Sequence, residues 1–164
     1  MPRIDVTTVP ARQGSGYPKP FDAPCSARTR RRLREAGGLR DFGVNLMTLP
    51  PGGWSSQRHW HSDEDEFVYL LEGEVTLVED GGETLMRAGD CAAFPKGTGN
   101  GHHLINRSSA MAVYLEVGSR NPDGRLSGGG LAQPERPHHV LRHRHDEFQR
   151  RRPICAQGRH ADLR

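Results

Sequence analysis

"EFVYLLEGEVTLVEDGGETLMRAGDCAAF", residues 66 to 94, reads as short strands separated by tight turns. An apolar run stops at Gly73, where the chain reverses into "VTLVE". Asp80, Gly81 and Gly82 form a hairpin turn before "ETLM", and "RAGD" turns the chain once more into "CAAF". The turns come too often for a helix of useful length. The same pattern extends both ways. Upstream, "FGVNLMTL" (42–49) is a strand stopped by "PPGG", and "WSSQRHWH" (54–61) is a second. Downstream, the glycine-rich turn "PKGTGNG" (95–101) leads into "HHLIN" and "AMAVYLEV". About eight short strands with no helix between them predict an all-β antiparallel sandwich or barrel over residues 41 to 118.

The flanks are different. Residues 1 to 40 hold an arm rich in proline and glycine, then "ARTRRRLREAGGL", which predicts a helix of one to three turns stopped at Gly37 and Gly38. Its arginines read as a solvated face, because no stacking aromatics or recognised DNA-binding pattern accompanies them. Residues 119 to 164 form a tail without strand period, expected to be disordered. The tail carries ten of the 23 Lys and Arg residues, five of the nine histidines and five of the 20 acidic residues. The preceding 118 residues therefore hold 13 basic and 15 acidic groups, so the pI of about 9.0 belongs to the tail. It is no argument for a nucleic-acid partner.

At 164 residues the chain fits one domain. Three widely spaced cysteines predict free thiols in a reducing cytoplasm. The first residues lack the apolar stretch of a signal peptide, and no segment reaches the ~18 consecutive apolar residues of a membrane span. "EFVYLLE" is apolar on both faces: Val68 and Leu70 on one, Phe67, Tyr69 and Leu71 on the other. A barrel interior covers only one of them, which predicts a homodimer.

The chemistry sits in "HWHSDEDE", residues 59 to 66. Alternate residues of a strand share a face, so His59 and His61 point the same way, about 7 Å apart along the chain. Glu66 opens the next strand in the parity of Val68 and Leu70. If those line the interior, Glu66 meets the two histidines there. A third imidazole can come from His102 or His103, which lie on opposite faces, so only one points inward. Such a polar cluster beside a core strand is costly unless something satisfies it, and a divalent metal does so. Asp63, Glu64 and Asp65, in the turn between, read as solvated charge. "PKGTGNG" lacks the Lys-Ser or Lys-Thr and the helix of a phosphate loop and reads as a turn. Tyr114 and Glu116 share one face of the last strand; if that face is the interior, Glu116 is a candidate general base.

These residues resemble the two motifs of the cupin superfamily. His59, His61, Glu66 and Gly73 match the first motif. Gly89, Pro95, Gly97, His102 and Asn106 match the second, except that four residues rather than two separate Gly97 from the histidine. The His-to-Asn spacing of the motif selects His102 over His103. The resemblance covers residues 41 to 118 and implies a jelly-roll barrel with one divalent metal (Zn, Mn, Fe or Ni) held by His59, His61, Glu66 and His102. The runs "FGVNL", "EDEFV", "GDCAAFP" and "NGHHLINR" are similar to those of small bacterial cupins associated with sugar-phosphate isomerisation. A metal-dependent enzyme acting on a small polar metabolite is the function this implies, with Glu116 and Tyr114 as catalytic candidates. An iron-dependent dioxygenase and a non-catalytic sensor of a small metabolite are the alternatives.

Overall fold

The computed structural model describes residues 3–120 and 129–131. Its strands are β1 (Ala11–Gln13), β2 (Thr29–Arg32), β3 (Phe42–Leu49), β4 (His59–His61), β5 (Glu66–Glu72), β6 (Glu74–Glu79), β7 (Gly82–Arg87), β8 (Cys91–Phe94), β9 (His103–Ile105), β10 (Ala112–Ser119) and β11 (Gly129–Leu131). One sheet runs β1-β2-β3-β10-β5-β8; a second holds β7-β6-β9; β11 pairs with β4. Every pairing is antiparallel. An isolated bridge between His59 and His102 ties β4 to the segment entering β9. This is a jelly-roll β-barrel architecture, all-β and antiparallel as the strand pattern predicts and a jelly roll as the motif resemblance implies. No described helix is long and apolar enough to cross a membrane.

Strand parity places the core between the sheets. Val68 and Leu70 of β5 are buried with Met47 and Leu49 of β3, Val75 and Leu77 of β6, Met86, Leu104 and Tyr114. Phe67, Tyr69 and Leu71, the opposite face of β5, are about two-fifths exposed, at 39%, 39% and 41%.

Two segments differ from the sequence prediction. The arginine run is mostly strand rather than helix: Thr29–Arg32 pairs with β3, and helix α1 is confined to Leu33–Gly37. An open sheet edge offers that backbone a ladder of hydrogen bonds, which outweighs the weak helix propensity of a short arginine stretch. The stop is where the glycines place it, with Gly38 in the left-handed region at φ 66°. The segment before residue 41 thus adds β1 and β2 to the barrel's own sheet. In the tail, predicted to carry no strand, Gly129–Leu131 lies antiparallel along His59–His61. The rest of the tail, residues 121–128 and 132–164, lies outside the described residues.

Gly73 shows why the β5–β6 turn needs glycine. Its φ is +75°, and a Cβ there would lie 2.4 Å from the carbonyl oxygen of Met111. Both faults act on backbone, so Gly73→Ala is expected to cost about 2–4 kcal/mol. A shift in the urea midpoint measures it; a loss under about 1 kcal/mol would mean that the Met111 loop yields freely.

Candidate metal centre and cavity

Strand β4 is only three residues long, yet its position is held from both sides. On one edge, Gly129–Leu131 pairs with it residue for residue. On the other, His59 N–H donates to the His102 carbonyl at 3.2 Å, and His102 N–H donates to the His59 carbonyl at 2.8 Å. Gly97 N–H donates to the His61 carbonyl at 2.8 Å. The lengthened loop after Gly97 therefore does not displace His102. Asn106, fully buried, holds the far end: its side-chain amide donates to the carbonyls of Leu49 and Ala110, at 2.7 and 2.8 Å.

The turn between β4 and β5 is fastened by Asp65. Its carboxylate accepts from Lys96 N–H, and its own N–H donates to Ser119 Oγ, both at 2.9 Å. Sequence alone reads Asp65 as solvated charge, whereas in the fold it fixes where Glu66 begins its strand.

The side chains converge as the parity predicts. His59 Nε2 lies 3.1 Å from His61 Nε2, and His61 Nε2 lies 3.2 Å from Glu66 Oε2. Donor atoms of these three residues fall within 4.8 Å of one another, close enough to share a metal ion. His102 Nε2 is 3.5 Å from the same Glu66 oxygen. The His102 ring stacks on Phe94, with centroids 3.6 Å apart and planes at 2°. His103 points away, its Nδ1–H donating to the Ser56 carbonyl at 3.1 Å and its ring edge-on to Trp54.

Two observations test whether these residues suit a cation. Both ring nitrogens of buried His102 lack a hydrogen-bond partner. An orphaned buried imidazole is costly, and a cation beside its Nε2 would satisfy it. His59 Nδ1–H donates to the Gln57 carbonyl at 2.9 Å, which leaves the Nε2 lone pair facing the cluster. Three imidazole nitrogens and one carboxylate oxygen suit a divalent transition metal.

The local charges respond to this crowding. Burial above all pushes His59 down to about 4, so its imidazole is neutral, as a metal ligand must be. The hydrogen bond to Glu66 raises His61 despite burial. At Glu66 burial works upward, but the neighbouring His102 and His61 imidazoles outweigh it and hold the carboxyl well below its ordinary range.

A cavity of about 180 Å³ opens beside the cluster. Tyr114 and Glu116 face into it with Glu66, because β10 lies between β3 and β5 and pairs Glu116 with Asn45 on one side and Val68 on the other. Asn45 Nδ2 donates to Glu116 Oε1 at 2.8 Å. Burial, then the Glu66 charge, raises the Glu116 carboxyl, and burial lifts the Tyr114 phenol well above its usual value. The Tyr114 hydroxyl is buried without a hydrogen-bond partner.

Among the cavity-wall residues that escape a reading from sequence are Tyr17, Arg28 and Arg30. The alternation Arg28-Thr29-Arg30 is the signal that could have found the arginines, since in a strand it places both on one face. Asn45 also carried a signal, being polar in the parity of Met47 and Leu49.

A family model for the cupin domain matches residues 45–118. A sugar phosphate isomerase of the cupin superfamily from Silicibacter pomeroyi is 50% identical, with a TM-score of 0.72; the match covers 74% of this chain and 77% of that one. A structure from Acidithiobacillus ferrooxidans, provisionally assigned the same activity, is 33% identical with a TM-score of 0.56 over 58% of this chain and 60% of that one. The polyketide cyclase RemF from Streptomyces resistomycificus, 22% identical with a TM-score of 0.57 over 73% and 79% of the two chains, shares the fold. No curated protein matches the chain.

Elemental analysis of protein grown with added metals should find roughly one divalent ion per chain, removable by chelator. His102→Ala should lose most of it, and His103→Ala should keep it. Metal-free wild type would remove the site, and the reverse pattern of the two variants would assign His103 as the ligand.

Proposed function

This chain belongs to the cupin superfamily, and we propose that it is a metal-dependent enzyme that isomerises a small hydroxy-carbonyl metabolite. The observation that carries this reading is the meeting, in one cavity, of the His59, His61, Glu66 and His102 donors with a buried carboxyl and a buried phenol, Glu116 and Tyr114. The half-identical sugar phosphate isomerase from Silicibacter pomeroyi supports the reaction class.

A divalent ion held by the three histidines and Glu66 would polarise a substrate carbonyl or hydroxyl as a Lewis acid. The chain's own groups would do the rest. Glu116 is aimed by Asn45 and has a carboxyl pushed upward by burial, which suits a base that must both take and return a proton. It removes the proton from the carbon beside the carbonyl and delivers it to the former carbonyl carbon. The unbonded Tyr114 hydroxyl offers the neighbouring oxygens a partner for the accompanying O–H transfer. Proton and double bond exchange places, so no oxidant or co-reactant is needed.

Metal-loaded protein incubated with aldose and ketose substrates in heavy water should place deuterium on the carbon next to the carbonyl. Glu116→Gln should keep its metal and lose about 10²–10⁴ in kcat. Tight ligand binding without turnover or exchange would instead make the chain a sensor of its ligand.

A further inference from the structure

The two arginines of the cavity wall have no use in the proton transfer. Arg30 stands on β2 in register with Met47, which is itself opposite Tyr114 and then Leu70, so it occupies the same inward row as the buried phenol. Its half-buried side chain makes no ion pair and no hydrogen bond among the described residues; burial, chiefly, works against its charge. Arg28 is two residues earlier, in the same parity. Its Nε donates to the Gly14 carbonyl at 3.3 Å, which anchors the guanidinium while its terminal nitrogens make no hydrogen bond among the described residues. Arg31, of opposite parity, turns away and bonds the Val9 carbonyl.

Partly desolvated guanidiniums with unbonded terminal nitrogens, lining a cavity, are donors in search of an acceptor. Their planar fork matches a carboxylate or a phosphate. The charge balance agrees. Arg28 and Arg30 offset Glu66 and Glu116 among the groups lining the cavity. A divalent ion on neutral imidazoles then leaves two positive charges in excess. The cavity volume of about 180 Å³ slightly exceeds the ~150 Å³ that holds one benzene, so the part of a ligand seated in it has about six to ten non-hydrogen atoms.

We infer that Arg28 and Arg30 form an oxyanion-binding wall, and that the ligand is a hydroxylated carboxylate or phosphate monoester of about three carbons. Its anionic end lies on β2 and its hydroxyl end faces the histidine cluster. This rests on the reading of the cluster as a metal site, which sets the charge balance, but it concerns residues apart from it.

Isothermal titration of metal-loaded protein with D-glycerate, glycerol 3-phosphate, inorganic phosphate and neutral glycerol tests the inference. At least one of the organic anions should bind saturably and at least about tenfold more tightly than glycerol, and the preferred one distinguishes carboxylate from phosphate. Arg30→Gln and Arg28→Gln should each weaken that binding about tenfold or more with metal content unchanged, while the exposed-loop control Arg40→Gln should not. Arg30→Lys, which keeps charge and bulk but lacks the fork, should also weaken it and serves if Arg30→Gln misfolds. Anions that bind no better than glycerol, or arginine variants that bind like wild type, overturn the inference and leave the metal chemistry standing. Wild type that holds no metal yet binds the anion through these arginines overturns the metal-dependent reaction alone.

Discussion

The reciprocal backbone hydrogen bonds between His59 and His102 are the constraint on which the site depends. They join two segments more than forty residues apart in sequence and set the imidazoles at a centroid distance of 5.3 Å. A three-residue strand cannot hold such a position by itself. Here β11 supports one edge and the His102 segment the other. Asn106 then fixes the segment's exit to β3 and to the loop before β10. Each of these bonds is worth little alone, but each removes a freedom that would let the cluster spread. A site that is loose by an ångström loses most of what its groups can do together.

Concentrating histidines and carboxylates in a half-buried pocket carries an electrostatic cost that the fold divides among neighbours. Glu66 is stabilised by His61 and His102, and Glu116 by Asn45 with help from the Arg28 and Arg30 charges. The two carboxyls consequently move in opposite directions, Glu66 toward a permanent anion and Glu116 toward a group that can hold a proton. Such divergence suits one carboxyl to holding a cation and the other to the proposed role of base. The arrangement follows from strand order. With β10 between β3 and β5, Asn45, Glu116 and Val68 form one cross-strand row.

Much of this was legible in the chain. The hairpin turns, the alternation in "FVYLL" and the spacing of His59, His61 and Glu66 dictate strands and a shared face, because side chains in a strand alternate with period two whatever surrounds them. His102 was legible only through its spacing to Asn106; its orphaned nitrogens and its stacking on Phe94 belong to packing. The arginine run reads as a helix because local propensity cannot register a sheet edge that exists only once β3 has joined β10.

What the sequence by itself determined is therefore local: strand period, turn positions, and which polar residues interrupt the inward face. What the tertiary structure decided is adjacency. The face of β10 that turns inward, the drawing of Arg28 and Arg30 from a surface run into the cavity wall, and the pairing of Gly129–Leu131 with the histidine strand all depend on which strands lie side by side. Cross-strand neighbours are set by long-range hydrogen-bond registers, and those registers are a property of the whole fold rather than of any one segment of it.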